Sequence, residues 1–196
     1  MKKNILIVTQ LHSNGGLETR LFNLLNKLTE FNVIIAVVGN NKNCFQPLMK
    51  NKNFTLKYFD DVHQLNESLE NIITSFNINL IECQLIGFIS YKELNYNLLK
   101  LLGVKIVGTI HFNVKKAANK NIINKFRFYK FKIMLKKYFD LIITIRPSTN
   151  TYLKHHHCNC IPNTACINYN PVYQKNDNTN SIIISRIGRD KIFHFP

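Results

Sequence analysis

The sequence predicts an α/β protein built on a doubly wound parallel sheet, followed by a short stub of a second α/β domain. Three observations predict it. Short β-branched runs alternate with longer segments of helical period. Most of those runs are apolar on both faces, as strands covered by helices on either side must be. The first run also ends in a turn with two adjacent glycines, Gly15 and Gly16, that opens directly into a helical segment. A β, α, β, α order with right-handed crossovers closes into such a sheet.

The elements follow in order. NILIVT at 4–9 is the first strand, and in GLETRLFNLLNKLTE at 16–30 Leu17, Leu21, Leu24, Leu25 and Leu28 recur at helical spacing to form one apolar stripe. Strands are predicted at 32–38 (NVIIAVV), 54–59 (FTLKYF), 79–83 (NLIEC), 105–110 (KIVGTI) and 141–145 (LIITI). The helical segments between them are 62–76, 91–102 and a long basic stretch ending near Tyr138. Pro162, Pro171 and the polar run 174–180 then read as a linker. SIIISRIGRDK, from Ser181, begins what reads as another strand and turn. The expected organisation is a first domain at 1–163, a linker at 164–180 and a domain stub at 181–196.

Composition narrows the function. A hydrophobic content of 45% with 14 Phe suffices for a buried core, and a formal net charge of +15 points to an anionic partner: nucleic acid, anionic lipid or a phosphorylated small molecule. Asn is spread from end to end and reads as a compositional bias. The 5 cysteines are an odd number without framework spacing, which argues for a reducing cytosol. The apolar run 5–8 is too short for a signal peptide, and no run approaches the roughly 18 residues of a spanning helix.

The glycine pair sits where an open parallel sheet gathers ligands, outside the carboxyl ends of its strands. Glycines there let backbone N–H groups approach an anion, and the following helix N-terminus adds partial positive charge. The turn is neither a G-x-G-x-x-G dinucleotide fingerprint nor a phosphate-binding G-x-x-x-x-G-K-[ST] loop. One glycine serving only backbone conformation and the other only helix packing is the competing reading. His111 directly follows KIVGTI, so the sheet carries it to the same edge, where an ordinary imidazole titrates near neutral pH.

From Leu94 to Phe139 there is no acidic residue. Within this stretch Ile122, Phe126, Tyr129 and Ile133 share one helical face, expected to pack on the sheet. Phe128, Phe131, Leu135 and Tyr138 fall opposite, with basic side chains between the two faces. Lys125, Arg127, Phe128, Phe131, Lys132, Leu135 and Lys136 are therefore the expected contact with an anionic membrane surface. A solvated basic helix is the alternative. Nucleic acid is a weaker one, since no RNA-binding signature accompanies the interleaved Lys and aromatic residues. HHHCNC, from His155 to Cys160, offers no metal spacing and is read as a loop joining a short helix to a strand.

The ordered set ILIVTQLHSNGGLETRLFNLLNKL, VKIVGTIH, FDLIITI, IPN and SRIGRDK resembles the nucleotide-sugar-dependent glycosyltransferases of the GT-B fold, specifically the retaining family 4. The resemblance runs through nearly the whole chain. It implies a Rossmann-like N-terminal domain on the acceptor side and a C-terminal domain holding the donor. By it, Gly15 and Gly16 line the cleft beside the donor diphosphate, and His111 is the catalytic-site residue near the transferred sugar. Arg186 and Lys191 match the basic pair on the donor phosphates, with no cofactor and no metal expected. The implied partners are a nucleotide sugar and a glycan or lipid-linked acceptor in polysaccharide or lipopolysaccharide synthesis. The implied location is cytoplasmic, or peripheral on the inner face of the membrane. Thr164 and Cys166 depart from the family's linker pattern, and the family's paired glutamates of the donor domain are not found. A truncated enzyme is expected, the alternative being a non-catalytic remnant that binds membrane or a partner through its basic helix.

Overall fold

A computed structural model describes residues 3–10, 16–39, 54–153 and 158–160. Gly15, Arg186, Lys191 and the boundaries expected from 163 onward lie outside the described residues.

Seven strands form one parallel sheet: β1 (Lys3–Thr9), β2 (Phe31–Val38), β3 (Phe54–Phe59), β4 (Ile78–Leu85), β5 (Lys105–Ile110), β6 (Leu141–Thr144) and β7 (Cys158–Cys160). Their spatial order is β3-β2-β1-β4-β5-β6-β7, so the winding reverses between β1 and β4. That is the Rossmann-like doubly wound arrangement, with its topological switch point between those two strands. The six strands expected from the sequence are all present, with β4 running two residues further than its apolar run suggested.

Each face of the sheet has its own core. On one, Leu21 and Leu25 of α1 (Gly16–Lys27) cover Ile5 and Ile7 of β1 and Val33, Ile35 and Val37 of β2. On the other, α2 (Val62–Ser75), α3 (Tyr96–Leu101) and α5 (Ile122–Tyr138) bury Leu65, Leu69, Leu99, Phe131 and Leu135 against Leu6, Val8, Ile81 and Ile106. The alternation of β1 side chains between the two faces accounts for a strand that is apolar throughout.

The helical segments are shorter and more numerous than expected. The segment 91–102 is helical only over α3: Tyr91 has φ 53, which excludes that residue from a right-handed helix, and the helix starts where Asn95 caps it. The basic stretch divides into α4 (Val114–Ala118) and α5, and α6 (Pro147–Leu153) leads to β7. The backbone of Cys158–Cys160, expected to be part of a loop, instead forms β7 after this short helix, paired in parallel with β6. Asparagine has specific work at these breaks. The side chains of Asn95, Asn113 and Asn121 each accept a backbone N–H at a helix start, from Leu98, Lys116 and Asn124. At these positions the Asn content is capping chemistry, not bias alone.

The orientation of α5 is the reverse of the one expected. Phe131 is 1% exposed and Leu135 0%, so neither can meet a membrane, and Phe128 packs partly buried beside them. Ile122, Phe126, Tyr129 and Ile133, expected on the sheet, are the outward face. The inward strip is selected by an aromatic cluster: the Phe88 ring lies 5.1 Å from Phe112, 5.8 Å from Phe128 and 5.5 Å from Phe131, centroid to centroid. No helix among the described residues is long and apolar enough to cross a membrane.

Candidate functional site

The carboxyl ends of β1, β4 and β5 carry polar side chains on the face that α1 covers. Lower on that face the sheet is aliphatic, with Ile5, Ile7 and Leu80 against α1. Two steps up β4 come Glu82 and Gln84, both buried. The register sets Gln84 beside Thr109 of β5. His111 continues the same side of β5, its backbone N–H donating to the Leu85 carbonyl at 2.9 Å.

These side chains form one connected network. Glu82 Oε1 accepts from Thr109 Oγ1 at 2.6 Å and from Gln84 Nε2 at 2.7 Å. Arg20, one turn into α1, brings Nη1 to 3.7 Å from the same carboxylate oxygen and donates to Gln84 Oε1 at 3.4 Å. The imidazole Nε2 of His111 hydrogen-bonds Gln84 Oε1. Thr9 Oγ1, at the end of β1, is buried and has no hydrogen-bond partner among the described residues. A buried carboxylate is tolerated here because Thr109 and Gln84 donate to it and the Arg20 guanidinium stands beside it.

Burial first, and the charge of Arg20 second, lower the His111 pKa to about 3. The expectation of an imidazole titrating near neutral pH is therefore corrected: in the folded protein it is neutral under physiological conditions. A neutral imidazole whose Nε2 is engaged offers the lone pair of Nδ1 as a hydrogen-bond acceptor. The chemistry available at this edge is hydrogen bonding and fixed charge, not proton donation by an imidazolium.

Of the residues singled out in the sequence, Gly16 is the first residue of α1 and His111 follows β5, so both stand at the carboxyl edge of the sheet, on either side of the switch point. Arg20, Glu82, Gln84 and Thr109 were missed. Their signal was present in β4, where INLIECQL places Glu and Gln two apart in a strand that must be buried on both faces. Two polar residues at that spacing share a side and need partners. Among the described residues no group of three His, Cys, Asp or Glu side chains could hold a metal ion.

No protein-family model matches the sequence, and no curated protein matches it significantly. Solved structures do. The fold is similar to apo UGT2 of Phytolacca americana (TM-score 0.57, 7% identity), covering 82% of this chain and 51% of that one. It is also similar to a UDP-N-acetylglucosamine 2-epimerase (TM-score 0.53, 10% identity), covering 79% and 45%. A short-chain dehydrogenase/reductase from Veillonella parvula in complex with NADP matches at a TM-score of 0.52 and 13% identity, over 74% of this chain and 69% of that one. The chain thus spans about half the length of the first two. These likenesses give a Rossmann-like fold that is also GT-B-like, and a fold shared by such different proteins leaves function to the site.

Proposed function

We propose that the chain is the acceptor-side domain of a retaining, family 4 glycosyltransferase. It would move a sugar from a nucleotide-sugar donor to a cell-surface glycan or lipid-linked acceptor in polysaccharide or lipopolysaccharide synthesis. The observation that supports this most directly is that Gly16 and His111 both stand at the carboxyl edge of the sheet, on either side of the switch point, where the Arg20–Gln84–Glu82 network also lies. Ligands of open α/β sheets gather at that place.

In this reading the backbone N–H groups of Gly15 and Gly16 and the N-terminus of α1 face the donor diphosphate. Residues 181–196 are assigned by the resemblance to a donor-binding domain, with Arg186 and Lys191 as its candidate phosphate contacts. Departure of a nucleoside diphosphate concentrates negative charge on its terminal oxygens, and aimed N–H groups and cations lower the energy of that charge without a metal ion. His111 is held by Gln84 and accepts a hydroxyl proton of the sugar or acceptor as a hydrogen bond on Nδ1, so it orients rather than protonates. Arg20 supplies fixed positive charge behind it.

Titration of the full chain with UDP, GDP and their sugars, followed by imidazole NMR with His111→Gln used for assignment, tests this. A nucleoside diphosphate should shift the His111 signal saturably, and Arg186→Ala with Lys191→Ala should lower the nucleotide affinity of the full chain at least tenfold. Absence of any shift at saturating nucleotide would sink the donor-site reading.

A further inference from the structure

Among the described residues, five of the seven exposed large hydrophobic side chains lie on α5. Ile122 is 81% exposed, Ile123 59%, Phe126 61%, Tyr129 63% and Ile133 49%. At about 100° per residue, Ile122, Phe126, Tyr129 and Ile133 fall within an arc of about 60°, so they form one strip running nearly the length of the helix. Lys125, Lys132 and Lys136 border it along one side, and Lys130 and Lys137 along the other. The ammonium of Lys130 lies 4.8 Å from the centroid of the Phe126 ring, so its stem follows the apolar surface while its charge stays at the margin.

The strip continues into a groove of about 410 Å³ beside α5. Phe88, Ile133, Met134 and Tyr138 line it, and Ile89, 57% exposed, is part of its wall. Arg127, Lys130 and Lys137 line it as well. Lys92 lines it too, paired with Glu93 at 3.1 Å, while from Leu94 to Phe139 the sequence has no acidic residue.

We propose that this face of α5 seats the protein on an anionic lipid bilayer, with Ile122, Phe126, Tyr129 and Ile133 entering the headgroup boundary and the flanking lysines meeting lipid phosphates. Two features select this occupant. A single apolar strip between two rows of lysines is what a helix lying in the plane of an anionic interface requires. Monomeric proteins also rarely leave such a contiguous apolar surface in water. Nucleic acid would meet the lysines and stack on Phe126 and Tyr129, but Ile122, Ile123, Ile133 and Ile89 have no stacking face and would stay wet. A second copy would bring lysine rows against lysine rows. The inference does not depend on the sugar-nucleotide reading.

The chain has 0 Trp, so Phe126→Trp gives a single reporter in the full-length protein. Its emission should shift to the blue with vesicles of mixed phosphatidylcholine and phosphatidylglycerol, and not with phosphatidylcholine alone. Co-sedimentation with the same vesicles should fall at least tenfold in Phe126→Ser with Ile133→Ser. Lys125→Gln with Lys132→Gln and Lys136→Gln should abolish the preference for phosphatidylglycerol. Leu101→Ser, exposed elsewhere, should change neither, and unchanged circular dichroism melts verify that the variants fold. Equal binding to neutral and anionic vesicles, or full binding by the Ser double variant, overturns the proposal. So does a dimer that the Ser variant dissociates while vesicle binding is unchanged. Single-stranded RNA that binds equally well to the wild type and the Ser variant, with no vesicle binding by either, assigns the lysines to nucleic acid and also overturns it.

Discussion

His111 and Gln84 share a hydrogen bond whose direction is fixed by the other partners of the glutamine. The amide nitrogen of Gln84 donates to Glu82 at 2.7 Å, which leaves its oxygen to face both Arg20 and the imidazole. His111 Nε2 must then carry the proton, and Nδ1 the lone pair. Nitrogen NMR of the folded protein should show His111 as the neutral Nε2–H tautomer. Gln84→Leu should erase that preference and cost about 1–3 kcal/mol in urea unfolding, since Arg20 and Glu82 each lose a buried partner. A variant that keeps both the tautomer and the stability would show that something else orients the ring.

The same residue sets the acid limb of stability. An unfolded chain binds a proton at His111 near pH 6.5, whereas the folded one resists down to about 3 because of burial and the charge of Arg20. Between those values the unfolded state holds more protons, so stability falls as pH falls, by up to about 1.4 kcal/mol per unit. Asp140 acts only further down. Burial raises its pKa, but the Ile106 N–H and the ammonium groups of Lys100 and Lys105 outweigh burial and hold it below the usual carboxylate value. Urea midpoints taken between about pH 7 and pH 5 should decline in the wild type and stay nearly flat in His111→Gln; parallel declines would place the sensitivity elsewhere.

Arg20 and Glu82 form a pair whose side chains are only 17% and 10% exposed. Arg20→Leu strands a carboxylate in the sheet face and should destabilise the protein by about 3 kcal/mol. Adding Glu82→Leu should recover part of that loss, because a buried pair replaced by apolar groups costs far less than a pair broken on one side. Denaturant unfolding of both variants measures the difference; equal losses would mean that the pair is solvated in solution.

Gly108 in β5 lies under the ring of Phe139. A Cβ there would stand 2.8 Å from two ring carbons and 3.1 Å from Leu85 Cδ1, and Phe139 is buried at 4% exposure. Gly108→Ala should therefore destabilise the domain by about 1–3 kcal/mol. Gly108→Ala with Phe139→Leu should regain part of it if the ring is the obstacle.

Strand placement was legible because a parallel sheet buried on both faces demands continuous β-branched runs, and NILIVT, NVIIAVV and KIVGTI are such runs. The segment 91–102 was less so. Its apolar spacing suits a helix, and nothing local announces the left-handed backbone at Tyr91. Half of the candidate site was legible for a similar reason. A strand that ends in His111 and a helix that starts at Gly16 follow from chain order, but the meeting of Arg20, Glu82 and Thr109 depends on the registers of three strands and the docking of α1.

By itself, then, the sequence determined the order of the first six strands, the doubly wound sheet, and a basic helix with apolar residues on two opposite sides. Only the tertiary structure decided which of those sides turned inward. Both strips of α5 are large and apolar, so local free energy barely separates them. The choice fell to groups distant in sequence: Phe88 and Phe112 receive the Phe128 and Phe131 rings, Tyr96 stacks 5.0 Å from Tyr138, and Phe139 is pinned over Gly108. The strip through Phe126 and Ile133 was left facing out because the core was already filled by the other.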